Sequence, residues 1–227
     1  MGDKCTYNTG RVTEREAVDE ESERRRAVIE AAAGILAEKG PHALSLRRVA
    51  ADAGGSTQLV YTLFGGKPGL ADALYGEGFR RLGVRMAAAV ADSADGDPRQ
   101  LVQLGLAYRA FALAEPAFFS VMFGRAISGF TPRPETRTTG RSVSFGHVVT
   151  AAQLCLDVGA LSAPDALTLA RLCWASAHGV TALEVAGLLG AEDADAFAEH
   201  AFTRVVDAHR PPPTGSAMRS VRYREPR

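Results

Sequence analysis

The stretch STQLVYTLFGGK, Ser56 to Lys67, gathers three hydroxyls (Ser56, Thr57, Thr62), the Gln58 carboxamide, the Tyr61 phenol and the Lys67 ammonium. These groups hydrogen-bond rather than attack or shuttle protons. Gln58 can pair with adenine through two hydrogen bonds, and Thr57, Leu59 or Thr62 can touch thymine methyl groups. Tyr61 and Lys67, with Ser45 and Arg48 upstream, suit phosphate oxygens, which fix register without reading sequence.

The residues that could do covalent chemistry are poorly placed for it. Cys173 and His178 stand five positions apart, which at about 100° per residue puts them on different faces of a helix. Cys5, Cys155 and Cys173 are few, widely spaced and free of any Cys-x-x-Cys pairing, and read as reduced thiols of an intracellular protein. No carboxylate pair, metal-ligand cluster or phosphate-binding loop emerges. The expectation is a non-enzyme without cofactor or metal.

A third group is apolar. Tyr108, Phe111, Phe118, Phe119, Met122, Phe123 and Trp174 offer aromatic and polarizable surface that can surround a pocket between helices or simply fill a core. His178 can orient a ligand's polar group or cap a buried interaction.

Helical signals position all three groups. Val28, Ala31, Ala32 and Ile35 make one face of a first helix from about Glu21 to Glu38, ended by Gly40 and Pro41. Ser45 is a good N-cap for a second, short helix carrying Leu46, Val49, Ala50 and Ala53 inward, and Gly54 and Gly55 make the turn. A third helix from Ser56 to about Leu63 buries Val60 and Phe64. A fourth runs from Lys67 to about Ala91, with Pro68 in its first turn. Asp97 and Pro98 open a fifth, ending near Glu115, and PAFFSVMFG a sixth. Arg125 to Arg141 reads as a polar loop, either a flap at a pocket mouth or a connector. Three more helices follow, roughly Val143–Val158, Pro164–Leu189 and Asp193–His209, the middle one started by Ser162 and Pro164 and ended by Gly190. No strand pattern or repeat appears. The fold class is therefore all-α, about nine helices, with polar mobile tails over 1–19 and 210–227, a small domain over 20–67 and a larger one over 68–209.

The composition of the 227 residues, 46% hydrophobic and 23% charged, suits a chain with a real core. Net charge is zero but unevenly spread: 7 Lys/Arg against 5 Asp/Glu over 21–70, 11 against 15 over 71–207, and 5 against 1 beyond. A local phosphate-binding surface is compatible with that balance. No apolar run approaches the ~20 residues needed to cross a bilayer, so a cytoplasmic location without membrane contact is expected.

Two short helices joined by a glycine turn inside a three-helix unit form a helix-turn-helix, whose second helix can lie in the major groove of B-DNA. A merely solvated polar hairpin has the same outline. Between these the residues LSLRRVAADAGGSTQLVYTLFGGKPGL decide: an N-capped helix, an alanine-glycine turn, a serine, a Tyr-x-x-Phe pair and a Gly-Lys-x-x-Leu start to the fourth helix. From Arg24 to Leu70 the segment resembles the DNA-binding domain of the tetracycline-repressor (TetR) family of bacterial transcription regulators. The resemblance implies phosphate contacts from Ser45, Ser56, Tyr61 and Lys67, and a base-facing surface of Thr57, Gln58, Leu59 and Thr62. The chain departs from the family pattern at Gly55, where an apolar residue is usual, at Leu59, where a small hydroxyl residue is common, and at Leu63, where a polar residue is.

CWASAHGVTALE, from Cys173 to Glu184, resembles the Trp-x-x-x-His-Gly signature of the WHG type of effector domain in the same family. Trp174, His178, Thr181 and Val185 share one helix face, and Ala175, Gly179, Ala182 and Ala186 line a neighbouring one whose small residues admit a close helix. That stripe and the last helix (Phe197, Ala201, Phe202, Val205) are expected to pack against their own copies in a two-fold homodimer, as the resemblance also implies, or else to form a seam within one chain. A dimer predicts a pseudo-palindromic operator in double-stranded DNA, with half-sites about one helical turn, ~34 Å, apart or a multiple of it. The resulting expectation is a ligand-responsive regulator, a repressor that releases its operator when a small apolar or aromatic effector binds. The alternative is a helical small-molecule-binding or scaffolding protein without operator binding.

Overall fold

The computed structural model describes residues 9–124, 126–190 and 193–212, and every regular element among them is helical. α1 (Thr9–Lys39) leads through a short 3-10 turn (Pro41–Ala43) to α2 (Leu46–Asp52) and α3 (Thr57–Phe64). The sequence chemistry that separates them is direct. Gly40 takes φ +73°, a conformation that costs glycine little, just ahead of Pro41. Ser45 caps α2 by accepting the Arg48 N–H at 3.3 Å, and Ser56 caps α3 by accepting the Leu59 N–H at 3.2 Å. Val28, Ala32, Ile35, Val49 and Val60 close this unit with essentially no exposure, which at about 25 cal/mol per Å2 of apolar surface is the main force fixing the crossing of α2 and α3.

Gly65 ends α3 in the left-handed region, its N–H donating to the Tyr61 carbonyl at 2.8 Å. Only Gly66 then intervenes before α4 (Lys67–Ala89). A Cβ on Gly69 would lie 1.7 Å from the Phe64 carbonyl oxygen. The last turn of α3 and the first of α4 are thus in backbone contact and must move together.

α4 packs against α5 (Arg99–Ala114), α6 (Pro116–Phe123) and α7 (Pro134–Asp157), α8 (Ala166–Val185) lies on α5 and α7, and α9 (Ala194–Asp207) on α5 and α8. Glycines allow the close approaches: Gly83 of α4 sits against the Val143 carbonyl of α7, and Gly140 of α7 against the Phe79 ring of α4. Arg81 of α4 ties three other segments together. Its guanidinium donates to Glu77 at 2.9 Å and to Glu115 at 3.2 Å, pairs with Glu30 of α1, and lies 4.4 Å above the Phe118 ring.

Several expected boundaries are corrected. α1 begins at Thr9 rather than near Glu21, so residues 9–19 are helical and not a tail; the expected tails over 1–8 and 213–227 lie outside the described residues. The polar stretch read as a loop up to Arg141 is helical from Pro134. Its inward positions are Thr136, Gly140 and Ser144, whose hydroxyl donates to the Gly140 carbonyl at 2.8 Å, so the apolar period that marks a helix is missing there. α8 is capped by Asp165, which accepts the Thr168 N–H at 2.8 Å, rather than by Ser162, and it ends at Val185 before Gly187 at φ +71°.

Candidate nucleic-acid interface and ligand cavity

α3 divides its residues cleanly. Val60 and Phe64 are buried, while Gln58, Tyr61 and Thr62 are exposed and Thr57 is half-buried at the N-terminus. Tyr61 leaves 51% of its surface to solvent, its ring edge resting on the backbone of Gly66. Thr62 donates its hydroxyl to the Gln58 carbonyl at 3.0 Å, which leaves the Gln58 carboxamide free. The Ser45 and Ser56 hydroxyl oxygens accept backbone N–H groups, so each O–H still has its proton to donate outward. Arg48 and Lys67 are exposed beside them and have no carboxylate partner among the described residues.

Leu59 sits differently from its neighbours. It is half-buried, and its Cδ2 lies 2.8 Å from where a Cβ on Gly55 would be. The two departures from the family pattern are therefore one: the missing side chain at position 55 makes room for the large one at 59. On the inner side Arg25 of α1 locks the rod in place, donating to the Leu63 carbonyl at 2.7 Å and lying 4.4 Å over the Phe64 ring. A cation at the helix C-terminus also suits the helix dipole. Leu63 itself is half-buried against the core.

The larger unit holds a cavity of about 380 Å3, within the range of small-molecule sites. Tyr75, Phe79, Leu82 and Met86 of α4 form one wall. Tyr108, Met122, Phe123, Phe145, Val148 and Trp174 complete the apolar lining, and Ser144 and three arginines (137, 141, 171) supply its polar part. Of the eight residues expected around a pocket, Tyr108, Met122, Phe123 and Trp174 line it. Phe111, Phe118 and Phe119 do not: they are 0%, 2% and 7% exposed in the surrounding core. Sequence reasoning missed the α4 wall, whose spacing reads equally well as core, and the α7 residues, which lay in the supposed loop.

His178 stands just behind the lining. Its Nδ1 is 2.6 Å from the Tyr108 hydroxyl, and its ring packs 5.0 Å from Phe123 and 5.8 Å from Trp174. Burial lowers the imidazole from its ordinary value, favouring the neutral ring. Burial also pushes the Tyr108 phenol far up, keeping it a hydrogen-bond donor. The Trp-x-x-x-His spacing thus delivers a hydrogen-bonded aromatic wall. Burial pushes the Cys173 thiol up to about 11 and raises Cys155 as well, favouring the protonated form of both.

Of the residues expected on a paired face, Ala175, Gly179 and Ala186 of α8 or its end are exposed, as is Phe197 at 48%. Ala182, Ala201 and Val205 are half-buried. Phe202 is a correction. It is 3% exposed and packs on Gly105 of α5, where a Cβ would come within 2.9 Å of its ring, so it belongs to the intrachain core.

A three-helix unit with a solvent-facing polar second helix, joined through one long helix to a cavity-bearing bundle, defines the class of helix-turn-helix transcription regulators with a helical second domain. The comparisons narrow this. Residues 28–74 match the model for bacterial regulatory proteins of the tetR family, and residues 101–209 match the tetracyclin repressor-like C-terminal domain. The chain belongs to the TetR family. A solved protein of unknown function from Rhodococcus sp. RHA1 is 26% identical, with a TM-score of 0.73 over 83% of this chain and 96% of that one. A TetR family transcription regulator from Marinobacter aquaeolei VT8 is 18% identical, with a TM-score of 0.66 over 87% of this chain and 100% of that one. The TetR family regulator PfmR from Thermus thermophilus is 19% identical, at 0.61 over 79% and 97%. These last two likenesses concern the fold. No curated protein matched. Among the described residues no single helix is long and apolar enough to cross a membrane.

Proposed function

We propose that the protein is a ligand-responsive repressor that grips a pseudo-palindromic operator as a homodimer and releases it when a small, largely apolar molecule fills the cavity. One observation carries the reading: α4 presents Lys67 beside the exposed face of α3 and, two to five turns further on, Tyr75, Phe79, Leu82 and Met86 to the cavity. A ligand that prefers one placement of α4 therefore also selects a placement of α3, because Gly69 and Phe64 bind their backbones into one body. It can shift operator affinity only by the difference between its affinities for the two placements, typically 1–3 kcal/mol, or about 5- to 150-fold.

In this reading Gln58, Thr57 and Thr62 meet base edges, and Ser45, Arg48, Ser56, Tyr61 and Lys67 hold phosphates. Leu59 reaches the groove only with the part of its surface not covering Gly55. The dimer forms through the exposed stripe of α8, Leu172, Ala175, Gly179 and Leu183, together with the exposed Phe197 of α9. Such a protein works in the cytoplasm, where operator DNA is. A gel shift at a stated salt concentration, with and without ligand, tests the sign of the response: tighter binding with ligand would reverse it. Sedimentation as a monomer at micromolar concentration would remove the dimer.

A further inference from the structure

The polar part of the cavity lining is one-sided in charge. Arg137 and Arg141 stand one turn apart on α7, Arg171 comes from α8, and no carboxylate belongs to the lining. Other exposed arginines of the bundle, Arg85, Arg99 and Arg204, also go without a carboxylate among the described residues, whereas those that cross between helices are paired. Arg81, Arg109 and Arg133, each of which reaches across to another helix, are all closed by carboxylates. Arg137, Arg141 and Arg171 have none within ion-pair distance among the described residues. Asp165, six residues before Arg171, accepts the Thr168 N–H and hydroxyl and feels the Arg171 charge without coming within ion-pair distance. Of the acidic residues of α4 beside the cavity wall, Asp72 is taken by Arg133 and Thr136, and Glu77 by Arg80 and Arg81. Arg141 lies 5.9 Å from the centre of the Phe145 ring, so its cation is held over the apolar lining rather than away from it.

Resting on the ligand-gated reading, we propose that the effector is an organic anion: an apolar body lodged among the aromatic side chains, ended by one carboxylate or similar oxyanion that is bound by Arg137, Arg141 and Arg171. Guanidinium forks match a carboxylate in two parallel hydrogen bonds, and hydrogen bonds between charged groups are roughly twice as strong as neutral ones. The Ser144 hydroxyl is not available to help, since its proton already goes to Gly140. A cavity of about 380 Å3 has the volume of about a dozen waters at ~30 Å3 each, which sets the size of the body at a single ring system or a medium-length chain. The anion also has a route outward. Arg137 follows directly on Thr136, which donates to Asp72 of α4 at 2.6 Å, so drawing the first turns of α7 toward a bound oxyanion pulls on the helix that carries Lys67.

The test uses the fluorescence of Trp174, the sole tryptophan and part of the cavity wall. The full chain is titrated at about pH 7, where a carboxylate is ionised, with decanoate, decyl phosphate, decanol and decylamine. The proposal expects decanoate to bind about tenfold or more tighter than decanol and decylamine to bind weakest. In Arg137→Gln/Arg141→Gln/Arg171→Gln the advantage of decanoate disappears while decanol affinity stays. Arg141→Gln alone keeps the test intact if the triple variant melts early, and it should remove part of the advantage. Decyl phosphate matching decanoate means that the site takes oxyanions generally; decyl phosphate binding weakly means that it selects carboxylates, and both agree with the proposal. Equal affinity for decanoate and decanol, or an unchanged ratio in the variants, overturns the anionic assignment but leaves a ligand-gated cavity standing. Failure of all four probes to bind overturns both.

Discussion

The guanidinium of Arg133 holds the buried carboxylate of Asp72 at 2.7 Å, and the Arg133 backbone N–H adds a second bond at 2.8 Å. Asp72 is 3% exposed. Burial alone would raise its carboxyl, but the bonds from Thr136, the Arg133 N–H and the Arg133 side chain together hold it below the usual carboxylate range. This cluster pins the start of α7 to α4 between the cavity and Lys67.

Replacing Asp72 with alanine removes the acceptor of three donors, the Thr136 hydroxyl, the Arg133 N–H and the Arg133 guanidinium, so we expect a loss of about 2–3 kcal/mol at neutral pH, read as a lower denaturant midpoint. A carboxylate whose folded pKa is depressed stabilises fully above its unfolded value, about 3.9, and that contribution fades as pH falls through the folded value. Wild type and Asp72→Ala should therefore converge in strong acid. A gap that stays constant down through the acid range would remove the ionised carboxylate from the explanation.

His178 gives a pH dependence of its own. Burial lowers it from the ordinary imidazole value of 6.5, so the unfolded chain takes up a proton before the folded one does. Stability is complete above about pH 6.5 and declines as pH falls through the unfolded value toward the depressed folded one. His178→Gln should flatten that part of the melting-temperature profile. An unaltered slope between neutral and mildly acidic pH would show that another group is responsible.

Gly55 and Leu59 make a separable pair. A methyl group at position 55 meets only the flexible tip of Leu59, so Gly55→Ala should shift stability by no more than about 1 kcal/mol. The displaced Leu59 then swings toward solvent, and the base preference of the operator should change. Adding Leu59→Ala should remove the preference that the displaced leucine confers, which site selection from random duplexes would detect. Identical selected sites in all three proteins would mean that Leu59 takes no part in recognition.

At Gly69 the opposing atom is the Phe64 backbone oxygen, which cannot step aside. Gly69→Ala should cost about 3 kcal/mol or force α3 and α4 apart, measured as a lower melting temperature with weaker operator binding. A fully stable, fully binding variant would contradict the rigid coupling of the two helices.

The reach of the sequence varied with the distance over which its signals act. Caps and turns are local, so Ser45, Ser56, Gly65 and Pro68 place α2, α3 and the start of α4 almost to the residue. The start of α7 is marked by small and polar inward residues, Thr136, Gly140 and Ser144, the first two of which meet Asp72 and Phe79 of α4 more than fifty positions earlier. Without those partners they look like loop, and the cavity arginines beside them go unseen. Phe202 reads as an outward apolar residue for the same reason: Gly105, which receives it, is nearly a hundred residues away. Aromatic spacing likewise cannot tell a cavity wall from a core, and Phe111, Phe118 and Phe119 fell on the wrong side of that line.

The most direct test of operator recognition is selection of bound sites from random duplex DNA at a stated salt concentration, using wild type and Tyr61→Ala/Lys67→Ala. The account predicts enrichment of a pseudo-palindrome by wild type, with half-sites about one turn apart or a multiple of it, and loss of binding in the double variant with dimer and ligand affinity intact. No enrichment by wild type, or undiminished binding by the variant, would contradict it.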